Sequence, residues 1–248
     1  MEEITSVNNT LVKETVKFQQ KKYRDIEGKF LVEGYKPIEE AAAFGIEFDY
    51  VFINKDKQDK YEFLKGRKIL TTEVVLKKLS AADTPAEAVG VARHVKYDKD
   101  IFKSLNKVIL LENIRDLGNL GTIIRTACAF NVDGIILYGN CADMYNPKCV
   151  RSAVGNLWKI PILYLKNISD LKELFENYQR VATLPRSSDT LKTFKPKDKI
   201  LMMFGSEADG LSEELIRYST DSVKIEMNKQ VESLNLAISC AIVMYAVM

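Results

Sequence analysis

Residues 107–130 read KVILLENIRDLGNLGTIIRTACAF. The stretch opens on an apolar run, Val108-Ile109-Leu110-Leu111, and turns polar from Glu112 to Asp116. It then sets Leu120, Ile123, Ile124, Ala127 and Phe130 on one face of a helix. A continuous apolar run suits a strand covered on both faces, and spacing of three and four residues suits a helix packed on one side. The unit recurs downstream, where residues 134–138, 160–165, 180–183, 200–204 and 223–225 are further strand candidates, most of them separated by helical stretches. Strands alternating with helices predict an α/β domain built on a mostly parallel sheet.

Upstream, residues 9–24 predict one helix with Leu11, Val12, Thr15, Val16 and Phe18 as its apolar stripe. A strand over 30–32, a helix over 37–44 with Pro37 in its first turn, and a strand over 50–53 follow. Residues 94–106 are charged and aperiodic, so a linker is expected at 98–106, dividing a smaller α/β domain (1–97) from a larger one (107–248). The closing residues 234–248 are almost wholly apolar but fall short of the roughly 20 needed to span a bilayer. They also contain Asn235 and Ser239, and predict a buried helix in the core or at a subunit interface.

The bulk composition narrows the class. In 248 residues, 36 Lys and Arg stand against 34 Asp and Glu, a net charge of +2, so any grip on nucleic acid must come from a local basic surface. Cys128, Cys141, Cys149 and Cys240 form no C-x-x-C pair and have only His94 to join them, which argues against a metal site. His94 falls in the aperiodic segment and is expected to be solvated. The acidic start Met1-Glu2-Glu3 is no secretory leader, and a cytoplasmic protein with reduced, mostly buried cysteines is expected.

Ligands of open α/β sheets bind beyond the carboxyl ends of the strands, and three loops are chemically unusual there. The first runs from Glu112 into the helix that carries Asn119 and Arg125; Arg125 shares a side with Gly118, Gly121 and Thr122. A guanidinium over small residues leaves room for a ligand, although a surface arginine paired with an acid fits equally well. The second, Gly205-Ser206-Glu207-Ala208-Asp209-Gly210-Leu211-Ser212, has P-loop glycine spacing without the Lys, and its acids would repel phosphate. The third runs from Ile225-Glu226-Met227 to Glu232-Ser233-Leu234-Asn235, with Ser233 or Glu232 as candidate helix cap and Asn235 needing a hydrogen-bond partner. No G-x-G-x-x-G or G-x-S-x-G is present, which disfavours dinucleotide dehydrogenases and serine hydrolases.

Taken together and in order, these loops resemble the motifs of the SpoU (TrmH-like) family of RNA 2′-O-ribose methyltransferases. The match covers residues 108–245: Asn119 to Ala127 with Ala129-Phe130, then Lys148 with Arg151-Ser152-Ala153 and Gly155, then Gly205 to Ser212, then Ile225-Glu226-Met227 and Glu232 to Leu236. Glu33-Gly34 after Phe30-Leu31-Val32 resembles the family's substrate-binding domain, more loosely. Leu117, Asn131 and Glu226 depart from a frequent Pro, Gly and Pro, and Thr84-Pro85-Ala86-Glu87 from Thr-Pro-Gln-Gly.

The resemblance implies a catalytic domain tied in a trefoil knot, S-adenosylmethionine as methyl donor, RNA (ribosomal rather than transfer) as acceptor, and a homodimer. It implies that Arg125 is catalytic, with Asn119 and Glu207 positioning it and the substrate, and Ser233 and Asn235 holding the loop or touching RNA. Thr183, Leu184, Gly205, Gly210, Ile225, Met227 and Leu234 would hold the cofactor. Lys148 and Arg151 are candidates for RNA phosphate, a solvated face being the alternative. Rival readings are an RNA-binding assembly factor without turnover, a transfer-RNA enzyme, and a small-molecule binder.

Overall fold

The computed structural model describes residues 2–82, 84–228 and 230–248, so Lys229 of the third loop lies outside the described residues. Contacts divide the chain into two units, Met1–Val95 with Asp143–Trp158, and Lys96–Ala142 with Lys159–Met248.

The first unit contains β1 (Glu2–Ile4), α1 (Thr10–Lys17), α2 (Lys21–Glu27), β2 (Lys29–Glu33), α3 (Tyr35–Ala43), β3 (Phe48–Asn54), β4 (Lys68–Thr71), α4 (Glu73–Leu79) and β5 (Ala88–Arg93). Its five strands lie in the order β1-β4-β3-β5-β2, with β5 antiparallel to both neighbours. Val12 and Phe18 join Leu31, Phe52 and Ile69 of the sheet and Leu76 of α4 in one core cluster. The single helix expected over 9–24 is two helices. The carbonyls freed at the break are taken by Arg24, whose Nη1 donates to Phe18 O (2.8 Å) and Gln19 O (2.9 Å). The Gln19 side chain in turn donates to the carbonyls of Lys78, Leu79 and Ser80 that end α4.

The second unit carries β6 (Lys107–Glu112), α5 (Leu117–Ala129) and β7 (Gly134–Tyr138). After α6 (Pro147–Ala153), which belongs to the first unit, come β8 (Ile162–Leu165), α7 (Ile168–Phe175), β9 (Gln179–Thr183), β10 (Ile200–Phe204), α8 (Glu213–Tyr218), β11 (Asp221–Val223) and α9 (Leu236–Val247). Every strand pairing is parallel, in the order β11-β9-β10-β6-β7-β8. The chain leaves β6 toward β7 and β8, then returns on the other side through β9 and β10, so the crossover direction reverses between β6 and β10. That is where a cleft opens beyond strand ends in such sheets.

Two segments differ from the sequence expectation. Within the aperiodic stretch, Lys99–Lys103 is a short 3-10 helix; Phe102 is fully buried and Lys99 Nζ pairs with Asp170 (2.8 Å) and Glu173 (2.7 Å) of α7. The segment Asp143–Trp158 was grouped by sequence order with the second domain but packs in the first unit. The cause is charge burial: Arg24, 1% exposed, meets Asp143, 11% exposed, at 2.5 Å, while Arg151 Nη1 reaches buried Glu33 at 3.3 Å. His94 is not solvated; its ring stacks on Tyr145 with centroids 3.9 Å apart, and its Nε2 is buried without a hydrogen-bond partner among the described residues.

α9 is apolar all round. Ala237, Cys240, Val243, Met244 and Val247 are buried, and the helix packs on α5. Ile238 (51%), Ile242 (37%) and Tyr245 (79%) form an exposed stripe. No helix among the described residues is long and apolar enough to cross a membrane.

Candidate active site

The strand ends position the loops. Glu112 closes β6 and is buried, and its Oε2 accepts from the Ser212 backbone N–H at 2.7 Å, tying the start of α8 to the end of β6. Asp116 caps α5 by accepting from Asn119 N at 2.7 Å. After β10 the chain folds back on itself: Ser206 and Gly210 exchange two backbone hydrogen bonds, of 3.2 and 3.0 Å. Gly205 makes that closure possible, because a Cβ there would lie 1.9 Å from the Gly210 carbonyl carbon and 2.1 Å from Leu211 N. Gly210 has φ +69°, the left-handed region that glycine tolerates best.

The three loops meet through their side-chain amides. Asn235, not Ser233 or Glu232, caps α9, its Oδ1 accepting from Ala237 N (2.9 Å) and Ile238 N (3.3 Å). That leaves Asn235 Nδ2 to donate, and it does so to Asn119 Oδ1 at 3.0 Å. Asn119 must therefore present its own Nδ2 on the other side, where it donates to Glu207 Oε1 at 2.5 Å. The cap thus fixes both amide orientations in sequence. Glu207 is exposed, and its Oε2 has no partner among the described residues.

Arg125 stands apart from this chain of bonds. It is exposed, makes no hydrogen bond or ion pair among the described residues, and projects about 120° around α5 from Asn119. The expectation that Asn119 and Glu207 hold Arg125 is not what the structure contains; they hold each other. Ser233 is likewise exposed and, among the described residues, without a side-chain hydrogen bond.

The residues expected to hold the cofactor fall at the end of β9 and in segments that follow β9, β10 and β11. Thr183 ends β9, with Oγ1 donating to Met203 O at 2.7 Å, and Leu184 N donates to Val223 O at 2.9 Å. Leu184 follows the end of β9 and Ile225 that of the adjacent β11, and Leu184, Ile225, Met227 and Leu234 are each half-buried. Half-buried apolar side chains without charge suit a flat, weakly polar ligand such as a purine ring. Lys148 and Arg151 lie on α6 in the first unit, and the guanidinium of Arg151 is engaged by Glu33.

Residues 106–245 match the SpoU rRNA Methylase family. The chain belongs to that family. Residues 9–90 match the MRM3-like substrate binding domain. An uncharacterized tRNA/rRNA methyltransferase of Synechocystis sp. is 33% identical over 98% of this chain and 92% of its own length. The 23S rRNA (guanosine(2553)-2′-O)-methyltransferase RlmP of Bacillus subtilis is 28% identical over 99% and 98%. The AdoMet-bound rRNA methyltransferase of Sinorhizobium meliloti superposes with a TM-score of 0.89 at 30% identity, covering 99% of this chain and 96% of that one.

Among the family departures, Asn131 takes φ +55°, so an asparagine serves the left-handed position where SpoU proteins often carry glycine. Sequence reading missed Glu112, taking it as the start of a polar loop. The available signal was a carboxylate flush against an apolar strand, where a charge persists only if its oxygens are satisfied.

Proposed function

We propose that this SpoU-family chain transfers a methyl group from S-adenosylmethionine to a ribose 2′-hydroxyl of ribosomal RNA. The observation that carries the reading is the Asn235–Asn119–Glu207 chain of hydrogen bonds, which joins the three motif loops. The half-buried apolar side chains fit the cofactor: Leu184, Ile225, Met227 and Leu234 would enclose its adenosyl part, with backbone groups near Thr183, Gly205 and Gly210 in reach. S-adenosylmethionine, when bound, supplies a methyl group on a positively charged sulfur, already activated for in-line transfer.

The protein's task is then alignment and proton removal. Asn119 and Glu207 fix the loop edges that face the ribose, and the unengaged Glu207 Oε2 is available to a ribose hydroxyl. Arginine stays protonated in proteins and is no base by itself. Arg125 therefore grips an RNA phosphate beside the reacting ribose, and that phosphate oxygen takes the 2′-hydroxyl proton. An unpaired, exposed guanidinium is suited to such a contact. Ser233 lies in the loop that ends at Asn235 and orients RNA; Lys148 and Arg151 add phosphate contacts from α6, with residues 1–97 as the RNA-gripping domain and 107–248 as the transferase. Homodimerisation through the Ile238–Ile242–Tyr245 stripe, the trefoil threading implied by the family, and a cytoplasmic setting suited to four free cysteines complete the proposal.

The test is transfer of labelled methyl to unmodified ribosomal RNA, read by resistance of the modified nucleotide to alkaline cleavage. Arg125→Ala should abolish transfer and leave cofactor affinity within about twofold, because its side chain supports nothing else in the fold. A fully active Arg125→Ala protein would remove Arg125 from the mechanism. No transfer and no cofactor binding by the unaltered protein would sink the enzyme reading.

A further inference from the structure

Two buried side chains of the second unit grip the start of α8. Glu112 and Tyr138 are register partners at the ends of the parallel strands β6 and β7, and they are 4% and 5% exposed. Glu112 Oε2 accepts from Ser212 N at 2.7 Å, and Tyr138 Oη donates to Glu214 Oε2 at 3.1 Å. Ser212 caps α8, its Oγ accepting from Leu215 N, and Glu214 lies in the first turn. Burial, then the bond to Glu214, pushes the Tyr138 hydroxyl up to about 12, so it stays protonated and donates. Neighbouring strands thus hold one helix turn at two points.

Stability alone does not account for Glu112. Taking a carboxylate out of water is costly, and well-packed apolar residues often serve a fold better. Glu112 makes this one hydrogen bond and no other among the described residues. What the carboxylate supplies is a fixed place for Ser212, through a charge-assisted bond shielded from water. Ser212 ends the second motif loop, and only Ala208 to Leu211 separate it from Glu207. The Ser206–Gly210 bonds and buried Leu211 leave that short stretch little slack. Toward its start the loop is held by the exposed Asn119–Glu207 bond, which competes with water and is weak on its own. Glu112 and Asn119 therefore bracket the loop from one segment that runs from the end of β6 into α5.

We infer that Glu112, seconded by Tyr138, is a positioning residue for methyl transfer: it anchors the start of α8 and so keeps Glu207 in place on Asn119. The inference rests on the methyl-transfer reading and extends it from the groups that meet RNA to a buried pair that does not.

The test is a double-variant cycle on labelled-methyl transfer at saturating RNA and cofactor. Glu112→Ala should lower kcat about 10- to 100-fold, the cost of a small displacement at a reacting centre. Glu112→Gln, whose amide oxygen can still accept from Ser212 N, should stay within about threefold of the unaltered protein. In a Glu207→Ala background, Glu112→Ala should cost less than about twofold more, because the carboxylate it positions is gone. Losses that multiply in the double variant would overturn the route through Glu207. A Glu112→Gln protein as slow as Glu112→Ala would overturn the bond to Ser212 as its basis. Tyr138→Phe removes only a hydroxyl, should cost about 3- to 10-fold, and carries the same cycle if Glu112→Ala does not fold. Hydrogen exchange of the full chain reads the clamp without activity. Glu112→Ala should speed exchange of the Ser206, Gly210 and Ser212 amides about tenfold or more and leave those of β7 unchanged. Equal exchange in both proteins would overturn the clamp. An unaltered protein that transfers no methyl to ribosomal RNA would overturn the methyl-transfer reading instead, whatever the exchange shows.

Discussion

Replacing Gly205 by alanine should open the loop after β10. The added Cβ would sit 1.9 Å from Gly210 C, 2.1 Å from Leu211 N and 2.2 Å from Gly210 O, all backbone atoms of the same loop. Ordinary contact begins near 3.4 Å, so the strand end and the return segment must part by about 1.5 Å. That motion breaks the two Ser206–Gly210 backbone hydrogen bonds, worth about 0.5–1.5 kcal/mol each. It also pulls on Leu211, which is buried, and on the Ser212–Glu112 anchor. Against this, a Gly→Ala change gains about 0.4–1 kcal/mol through the unfolded chain. After that offset the two bonds leave up to about 2.6 kcal/mol, to which the displacement of Leu211 and the Ser212–Glu112 anchor adds; at 1.4 kcal/mol per tenfold, a net loss of about 2 kcal/mol weakens a binding site that needs the closed loop roughly 25-fold. Calorimetric titration with S-adenosylmethionine reads this directly. Gly210→Ala is the control: φ there is +69° but nothing lies within 4 Å, so only the left-handed cost of about 1–2 kcal/mol applies. A Gly205→Ala protein that binds the cofactor within about twofold of the unaltered one would refute the claim that closure of this loop shapes the pocket.

Three further outcomes follow from named contacts. Asn119→Ala removes both bonds of the amide chain and should lower kcat about 100-fold by misplacing Glu207, with little change in melting temperature since the groups it frees reach water; an unchanged kcat would show the chain to be structural decoration. Asp143→Asn strands Arg24, which is 1% exposed, and should destabilise the first unit by about 3–5 kcal/mol, read from the fluorescence of Trp158, the only tryptophan, in urea; a shift below about 1 kcal/mol would mean the pair is not buried in solution. Burial holds the His94 pKa below its ordinary value, with the nearby Asp143 opposing that shift. The unfolded state therefore binds the extra proton first, and stability should fall as pH drops through about 6.5. His94→Phe keeps the stack on Tyr145 and should flatten that dependence, and an equal pH dependence in both proteins would assign it to other groups.

The central strands of the second unit were legible because they are local apolar runs, and residues 134–138 and 200–204 were bounded as the structure has them. The strand expected over 223–225 is Asp221–Val223, a polar edge strand with no such run, and the one expected over 160–165 begins at Ile162. Residues 9–24 were less so, since the break between α1 and α2 depends on Arg24 and Gln19 reaching carbonyls rather than on periodicity. The cap of α9 fell two residues after Ser233 and three after Glu232, the two expected candidates, because an asparagine inside an apolar stretch reads as an intrusion until its backbone partners are in view.

Sequence alone determined the alternation of strand and helix and singled out the motif residues Asn119, Arg125, Glu207 and Asn235, because side-chain spacing along one element is a local property, whereas the placing of Asp143–Trp158 in the first unit was not legible there. Tertiary structure alone decided which of them touch. Asn119 meets Glu207 across 88 residues and Asn235 across 116, and Arg24 finds Asp143 across 119. No periodicity encodes such pairs. They are fixed when β10 inserts beside β6 and brings distant loops to one edge of the sheet, and when a buried guanidinium selects the one carboxylate that can satisfy it.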